Sequence, residues 1–222
     1  NKAKGVMLEG GTQIFADKVI SNLNPKLLFK KLVSENDVDQ EYRRKILNYK
    51  CGSGTFRMNV ALSELPNFNC LPGKNISEHH KSGIVIAPSL TYMDQAFTDA
   101  KQYGWSKNPI IEMLIPSTVD DSLAPEGKHV ASLFCQQFAP KLPDNKSWHD
   151  EKSNAADIII DTVNRFAPNF KKSVLGRSIL SPLDLEEKLG LIGGDIMHGV
   201  MSLDQMSVSY THLRAHETRH YR

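Results

Sequence analysis

Four glycines fall within ten positions near the carboxyl-terminal end of this sequence, at Gly190, Gly193, Gly194 and Gly199. Asp195 and His198 lie between them, among apolar residues. Glycine in a helix interior costs backbone entropy, so this composition does not favour a regular helix. A glycine pair lets the main chain approach a neighbour closely, because no Cβ atom intervenes. The stretch 190–205 therefore predicts either a tight turn between two core segments or a loop that faces a ligand, and glycine is typical of both.

Length and composition describe an ordinary globular chain and exclude several classes of protein. The 222 residues suffice for one large domain or two small ones. A hydrophobic content of 40% and a charged content of 23% are typical of globular proteins. The formal net charge of +2 is too small to indicate a nucleic-acid partner or an acidic membrane surface. No apolar run is long enough to predict a transmembrane segment.

The three cysteines, Cys51, Cys70 and Cys135, lie far apart and form no metal-binding or redox motif. Their odd number and scattered positions predict free, partly buried thiols in a reducing compartment. The adjacent His79 and His80 point in different directions on any regular element, so we expect them to be exposed in a loop. The sequence therefore predicts no metal site.

Periodicity and capping signals indicate an α+β domain built on an antiparallel sheet with helices. Apolar residues at helical spacing predict helices over 25–33, 37–48, 92–103, 148–166 and 181–189. Alternating or continuous apolar runs predict strands over 55–62, 83–87, 109–116, 129–138 and 174–180. The last helix has a strong start signal, with Ser181 as N-cap, Pro182 at the first helical position and Asp184 as the acid of the first turn.

Two stretches in the first quarter of the sequence bear on nucleotide binding. Residues 5–22 predict a β-meander with a hairpin turn at 9–11, whose last strand ends at Ser21 and Asn22. Ligands of open α/β sheets bind at such strand ends. Gly52 and Gly54 form a G-x-G motif, but no third glycine follows, and the next residues alternate like a strand. A phosphate-binding loop is therefore not predicted there.

Four motifs share their order and spacing with one known family. GV-x-L-x-x-G-x-x-x-x-A-D-x-V-I-S-N covers residues 5–22, and LAP-x-G-x-H-V-x-S-L-F covers 123–134. AP-x-F-K-x-S-V-x-G-R-x-I-L-S-P-x-D-L-E covers 167–186, and GL-x-GG-x-I-x-H-x-x-MSLDQ covers 190–205. Over residues 3–206 the chain thereby resembles the FAD-dependent phytoene dehydrogenase-like oxidoreductases, in a mitochondrial branch of that family.

The resemblance implies a two-domain flavoprotein of glutathione-reductase-like topology. Its implied parts are a piece of the FAD-binding domain at 1–24, the substrate domain at 25–189, and a glycine-rich loop that returns toward the flavin at 190–207. The family's amino-terminal G-x-G-x-x-G segment and its carboxyl-terminal glycine-rich segment are not in this sequence. Because the chain also opens at Asn1 within a strand-like pattern, we expect a fragment of a longer protein that is inactive alone and does not retain FAD.

The resemblance also implies roles for individual residues. Those implied to lie near the cofactor are Ser21, Asn22, Gly193, Gly194 and Asp195. His198 is the acid/base candidate, because it is the side chain of the glycine stretch that titrates near neutral pH. Gln205 is the second catalytic candidate. A histidine in an apolar loop also serves as a hydrogen-bonded core residue, so both roles stay open for His198.

The implied function is an FAD-dependent oxidoreductase that acts on a small apolar substrate and passes electrons to a separate acceptor. The alternative is a non-catalytic binding module or scaffold on the same fold, for an apolar or lipid-like ligand. The implied location is mitochondrial. The identities of the substrate and acceptor, and the oligomeric state, do not follow from the sequence.

Residues 208–222 depart from the likeness and resemble adapter sequence read through as protein, so we expect a non-native tail. His212, His216 and His220 recur every four positions and on a helix would share one face. A zinc site is therefore the alternative for this tail, although no neighbouring group supplies an orienting shell.

Overall fold

The computed structural model describes residues 2–52 and 54–205. The described residues divide into two compact units, one formed by residues 2–50 with 201–205 and the other by residues between 51 and 200. Compactness alone assigns no role to either unit. The domain boundaries expected from the sequence therefore stay a prediction.

The first unit begins with a β-hairpin. Strands β1 (Gly5–Met7) and β2 (Gln13–Phe15) pair antiparallel. Gly11 in the connecting turn has a φ of 81°, which glycine adopts without steric cost. The third strand of the expected meander does not form, since Val19 and Ile20 lie outside any strand and Ile20 is 95% exposed. Two apolar residues supply too little surface to hold a strand without a partner backbone.

Two short helices follow in the same unit, and a polar side chain caps each of them. Helix α1 (Pro25–Leu27) begins after Asn24, whose side-chain oxygen accepts a hydrogen bond from the first turn. It continues directly into a π-helical turn over Leu28–Leu32. Helix α2 (Gln40–Asn48) begins after Asp39, which caps it in the same way.

The second unit is built on a five-stranded antiparallel sheet. Its strands are β3 (Thr55–Leu62), β4 (Ile84–Ile86), β5 (Trp105–Leu114), β6 (His129–Phe138) and β7 (Val174–Leu180). In space they follow the order β4-β5-β6-β3-β7, and every neighbouring pair is antiparallel. All five overlap the strands expected from periodicity. The combination of helices with an antiparallel sheet confirms the α+β class.

Helices of the second unit connect and cover these strands. They are α3 (Glu78–Lys81), α4 (Leu90–Tyr103), α5 (Trp148–Phe166), α6 (Phe170–Ser173) and α7 (Pro182–Leu189). Short 3-10 turns occupy Pro116–Thr118, Asp121–Leu123 and Ile192–Gly194. No helix in the described part of the chain combines the length and the apolar character needed to cross a membrane.

One face of the sheet packs against α5 and forms the core. Side chains on a strand alternate between faces, and β3 buries every second residue along its length. Each apolar side chain buried in this way contributes about 1.5–3 kcal/mol relative to an exposed one. The main residues of this core are Phe56, Met58, Val60, Leu62, Ile111, Met113, Leu133, Ala155, Ile159 and Val163.

The cysteines are all free, as expected. Cys135 lies in the core, Cys70 is exposed, and Cys51 is partly buried. Burial raises the pKa of the Cys135 thiol, because the thiolate would be desolvated there. Cys135 is therefore a small core residue rather than a reactive thiol.

Helix α7 begins and ends as its sequence predicts. The Ser181 and Asp184 side chains each accept a hydrogen bond from the other's backbone N–H, and Gly190 ends the helix with a φ of 68°. Burial disfavours the charged Asp184 carboxyl, but hydrogen bonds from Ser181, Lys152 and Lys188 outweigh it and hold its pKa well below the ordinary value. This helix fixes where the glycine-rich stretch starts.

Candidate functional site

The glycine loop, residues 190–200, packs against the segment that leads into β3. Asp195 and Gly54 form an isolated antiparallel β-bridge. The thiol of Cys51 lies 3.8 Å from the backbone oxygen of His198, to which it donates a weak hydrogen bond. Both segments belong to the second unit. The sequence expected a turn or a ligand-facing loop here, and the structure forms a turn that is closed against its own chain.

Gly193 and Gly194 are shaped by that packing. Their φ angles are 67° and 61°, values that other residues adopt at a cost. A Cβ on Gly193 would lie 3.1 Å from the Cα of Gly52, and a Cβ on Gly194 would lie 2.5 Å from the Cα of Pro182. The N–H of Gly193 donates to the Glu186 carboxylate at 2.8 Å. The space left by the two missing side chains is therefore filled by the chain itself.

The carboxylate of Asp195 joins the two segments. It is fully buried, and one oxygen accepts a 2.9 Å hydrogen bond from the N–H of Gly52. The other oxygen accepts a 3.0 Å bond from the N–H of Met197. Charge-assisted bonds of this kind offset the cost of burying a carboxylate. Asp195 thus holds the glycine loop against the entry to β3.

His198 combines two unusual features. Its φ is 60°, in the left-handed region that few residues other than glycine occupy. Its Nδ1 atom is buried and has no hydrogen-bond partner among the residues that the structure describes. A buried polar atom without a partner costs about 1–3 kcal/mol, and strained residues of this kind are found at functional sites. Among the described residues of this loop, His198 is therefore the candidate functional side chain.

The remaining candidates, Gln205, Ser21 and Asn22, lie in the first unit. Gln205 is buried, its Oε1 accepts a hydrogen bond from the Lys50 N–H, and its Nε2 donates to the Lys50 carbonyl oxygen at 3.1 Å. Ser21 and Asn22 are exposed, and the Ser21 hydroxyl accepts a 3.3 Å hydrogen bond from the N–H of Leu23. The four candidates of the glycine loop, by contrast, lie close together in the second unit.

Sequence reasoning missed the part of the site contributed by Gly52 and Gly54. Gly52 has a φ of 145°, and a Cβ on Gly54 would lie 1.8 Å from the carbonyl oxygen of Phe138. The signal lies in the G-x-G motif, whose spacing argues against a nucleotide-binding loop. Glycines just before a strand also mark a close backbone approach, and this is the role they have here.

The face of the sheet opposite the core, here called the outer face, carries a second group of chemically active side chains. Arg57, Phe134 and Glu112 lie opposite one another on β3, β6 and β5, so they form a row across the sheet. The Arg57 guanidinium lies 5.5 Å from the Phe134 ring centroid and donates a 3.1 Å hydrogen bond to the Ser132 hydroxyl. Glu112 accepts a hydrogen bond from Gln136. These side chains are only partly buried.

His79 and His80 are not the exposed loop pair that the sequence predicts. His80 is buried, its Nδ1 accepts a 3.1 Å bond from the Ser77 N–H, and its Nε2 donates to the Pro66 carbonyl oxygen at 2.9 Å. These partners assign the neutral tautomer with the proton on Nε2. Burial, and then the neighbouring His80, lower the pKa of His79. Within the described ranges, no group of His, Cys, Asp and Glu is arranged to hold a metal ion.

The prediction of a non-native tail, and the alternative of a zinc site in it, are not tested by the structure. His212, His216 and His220, the alternative zinc ligands, lie outside the described residues, as does the whole stretch 208–222.

Curated proteins show extended similarity to this sequence. It is 40% identical over 210 residues to pyridine nucleotide-disulfide oxidoreductase domain-containing protein 2 of Rattus norvegicus, and 38% identical to the protein of that name from Mus musculus. Each match covers 92% of this chain and 36% of the relative, so the chain spans about a third of these relatives' length. Prolycopene isomerase 2 of an Oncidium hybrid cultivar is 28% identical over 82% of this chain and 28% of that protein. No model of a known protein family matches the chain.

Among solved structures, an oxidoreductase from Methanosarcina mazei superposes with a TM-score of 0.49. The two sequences are 18% identical, over 81% of this chain and 34% of that one. A TM-score below 0.5 does not establish a common fold.

Proposed function

Since this chain is a relative of pyridine nucleotide-disulfide oxidoreductase domain-containing protein 2 over 92% of its length, we propose that it is mostly the substrate domain of a two-domain FAD-dependent oxidoreductase. The similarity confirms the family resemblance carried by the four motifs, and it makes the chain a member of an oxidoreductase family. The FAD, the glutathione-reductase-like topology and the mitochondrial location are parts of the proposal. Fractionation of cells that express the full-length protein tests the location.

The residues present suit part of a flavin site. FAD supplies a ring that accepts a hydride or an electron pair from a substrate. His198 offers a buried nitrogen that has no partner among the described residues and suits hydrogen bonding to a cofactor or a substrate. The glycine pair offers no open cradle, because Gly52 and Pro182 fill the positions of the missing Cβ atoms. Its proposed contribution is to shape the loop that presents His198 and Asp195.

In the proposed site, His198 holds or moves a proton at Nδ1. An imidazole nitrogen can accept a proton from a substrate as the substrate is oxidised, or return one. Asp195 fixes the loop in which His198 lies. Gln205, Ser21 and Asn22 are proposed as further contacts of the cofactor or substrate, on the family resemblance alone.

The unpartnered Nδ1 of His198, in a member of an oxidoreductase family, is the observation that carries this proposal. The test is stopped-flow reduction of the full-length protein, followed by its flavin absorbance. We expect His198→Gln to slow flavin reduction by about 10²–10⁴-fold, the usual loss on removing an acid/base group. His149→Gln is the matched control, because His149 is exposed on α5 and its ring lies near the exposed Glu187. A His198→Gln protein that reduces its flavin at the wild-type rate excludes the acid/base role.

A binding module or scaffold is the second candidate, and the self-filled glycine pair favours it. A loop that packs against Gly52 and Pro182 needs no cofactor to be stable. The two candidates differ in colour: a purified full-length protein that is yellow supports the oxidoreductase, and a colourless one supports the module.

The proposed substrate is small and apolar, and a separate acceptor takes the electrons. Three of the relatives are named prolycopene isomerases, after a hydrocarbon. From these names we propose only that the substrate of this protein is apolar, as a hydrocarbon is. Flavin reduction by a panel of apolar compounds under anaerobic conditions tests it, and reduction by polar compounds alone contradicts it.

A further inference from the structure

We propose that the outer face of the sheet binds an organic anion through Arg57, so that the substrate is an apolar molecule that ends in a carboxylate. The identification of this ligand as the substrate rests on the proposed function. The binding itself needs no flavin and is testable without it.

Arg57 lies on the outer face, one strand in from the β7 edge of the sheet. It lies on β3, which is hydrogen-bonded to β6 on one side and to β7 on the other. Its direct neighbours across the sheet are Phe134 and Leu180. The next outer-face positions of β3, Asn59 and Ala61, are exposed. In the part of the chain that is described, this region of the sheet is therefore open to a ligand.

Most N–H donors of the Arg57 guanidinium have no hydrogen-bond acceptor among the described residues. Arg177, on the adjacent strand β7, forms an ion pair with Asp157. Arg57 forms no such pair with any described carboxylate, and its hydrogen bond goes to the Ser132 hydroxyl. A guanidinium presents five N–H donors in a planar fork that matches a carboxylate. A single hydroxyl satisfies a small part of that capacity, and an organic anion would satisfy the rest.

The surroundings of Arg57 suit an apolar body attached to the anion. The Phe134 ring lies against the guanidinium and offers a flat apolar surface. Leu180 lies on β7, on the other side of Arg57 from Phe134. Ala61 and Val130 form an apolar pair further along β3 and β6, beyond the polar pair Asn59 and Ser132. An amphipathic carboxylate can therefore place its charge at Arg57 and its chain across these residues.

Glu112 decides on which side of Phe134 the anion binds. It lies on β5 in the same row, two strands from Arg57, which separates the two backbones by about 10 Å. Its carboxylate is held by Gln136. The negative charge disfavours an anion on the β5 side and leaves the Arg57 side as the favourable one.

The test uses two probes of equal chain length, decanoate and decan-1-ol, titrated calorimetrically into the 222-residue chain below the micelle concentration. We expect decanoate to bind more tightly than the alcohol. Arg57→Gln should weaken decanoate binding by about tenfold or more, the effect of losing hydrogen bonds to a charged group, and leave the alcohol unchanged. Arg177→Gln, at an arginine that already has a partner, should leave both unchanged.

Two further variants keep the test decisive. Arg57→Lys keeps the charge but not the fork, and should weaken decanoate binding less than Arg57→Gln does. Glu112→Gln should bind decanoate at least as tightly as the wild type. Equal binding of the two probes to the wild type, or undiminished decanoate binding by Arg57→Gln, overturns the proposal. A colourless full-length protein that still binds decanoate through Arg57 overturns the flavin proposal alone.

Discussion

The backbone N–H of Gly52 donates a 2.9 Å hydrogen bond to the carboxylate of Asp195, 143 positions further along the chain. Asp195 also pairs with Gly54 through its backbone. One buried side chain therefore determines where the glycine loop lies relative to the start of β3. Because His198 is three residues further on, its position depends on the same bond.

Replacing Asp195 tests this relationship. We expect Asp195→Ala to lower the free energy of unfolding by about 1–3 kcal/mol for each buried N–H that it leaves without an acceptor. Urea denaturation of the 222-residue chain, followed by circular dichroism, measures it. Asp204→Ala removes an exposed ion pair with Lys50, which water and salt screen, so it should destabilise the chain much less than Asp195→Ala does. Similar losses for the two variants would show that Asp195 does not hold the loop.

A series of three glycine variants separates backbone strain from crowding. Gly176→Ala should be neutral or slightly stabilising, because nothing lies near its Cβ position and its φ is unremarkable. Gly127→Ala has the same open space but a φ of 69°, and should cost about 1–2 kcal/mol. Gly194→Ala adds contact with the Pro182 backbone and should cost the most. The thermal midpoint of each variant gives the order, and a Gly194→Ala variant as stable as Gly127→Ala would contradict the observed packing.

Asp184 makes stability depend on acidic pH. Its folded-state pKa lies below the unfolded value of about 3.9. Its contribution is therefore fully present above that unfolded value and is lost as pH falls through the folded pKa. We expect the stability difference between the wild type and Asp184→Asn to shrink from pH 6 to pH 2 in urea titrations. A difference that is constant over this range would refute the assignment.

His80 should behave as a structural residue. His80→Leu leaves the Ser77 N–H and the Pro66 carbonyl oxygen without their partner, so it should cost about 1–3 kcal/mol for each buried group. His149→Leu, at an exposed position on α5, should change the free energy of unfolding by less than about 0.5 kcal/mol. Chemical denaturation at pH 7 measures both. Equal stability of the two variants would mean that the His80 hydrogen bonds contribute nothing net.

Local patterns predicted much of this fold. Helix α7 begins at the capping box of Ser181 and Asp184 and ends at Gly190. Both features depend on residues within one or two helical turns, so the local sequence is enough to predict them. The alternation of β3 likewise reports which side chains face the core. The five strands and the α+β class follow from signals of this kind.

Contacts between distant segments were not predictable in the same way. Nothing near Asp195 indicates that its acceptor capacity is used by Gly52, and nothing near His80 indicates that it reaches Pro66. Val19 and Ile20 show the opposite error, because the sequence predicted a strand there that the structure lacks. Two apolar residues do not form a strand unless a neighbouring backbone is present to pair with them. Of the candidate residues, the sequence located the glycine loop but not the segment at Gly52 and Gly54 on which it rests.

The bond that joins Gly52 to Asp195 has a consequence for synthesis on the ribosome. Gly52 is made 143 residues before its acceptor, so until then water must serve in place of the carboxylate. The entropic cost of closing a loop grows only logarithmically with loop length. Closing this long loop therefore costs a modest free energy, although it can happen only after residue 195 has been made. A nascent chain halted before residue 195 would thus lack the acceptor for the Gly52 N–H, and the residues that precede β3 would stay hydrated.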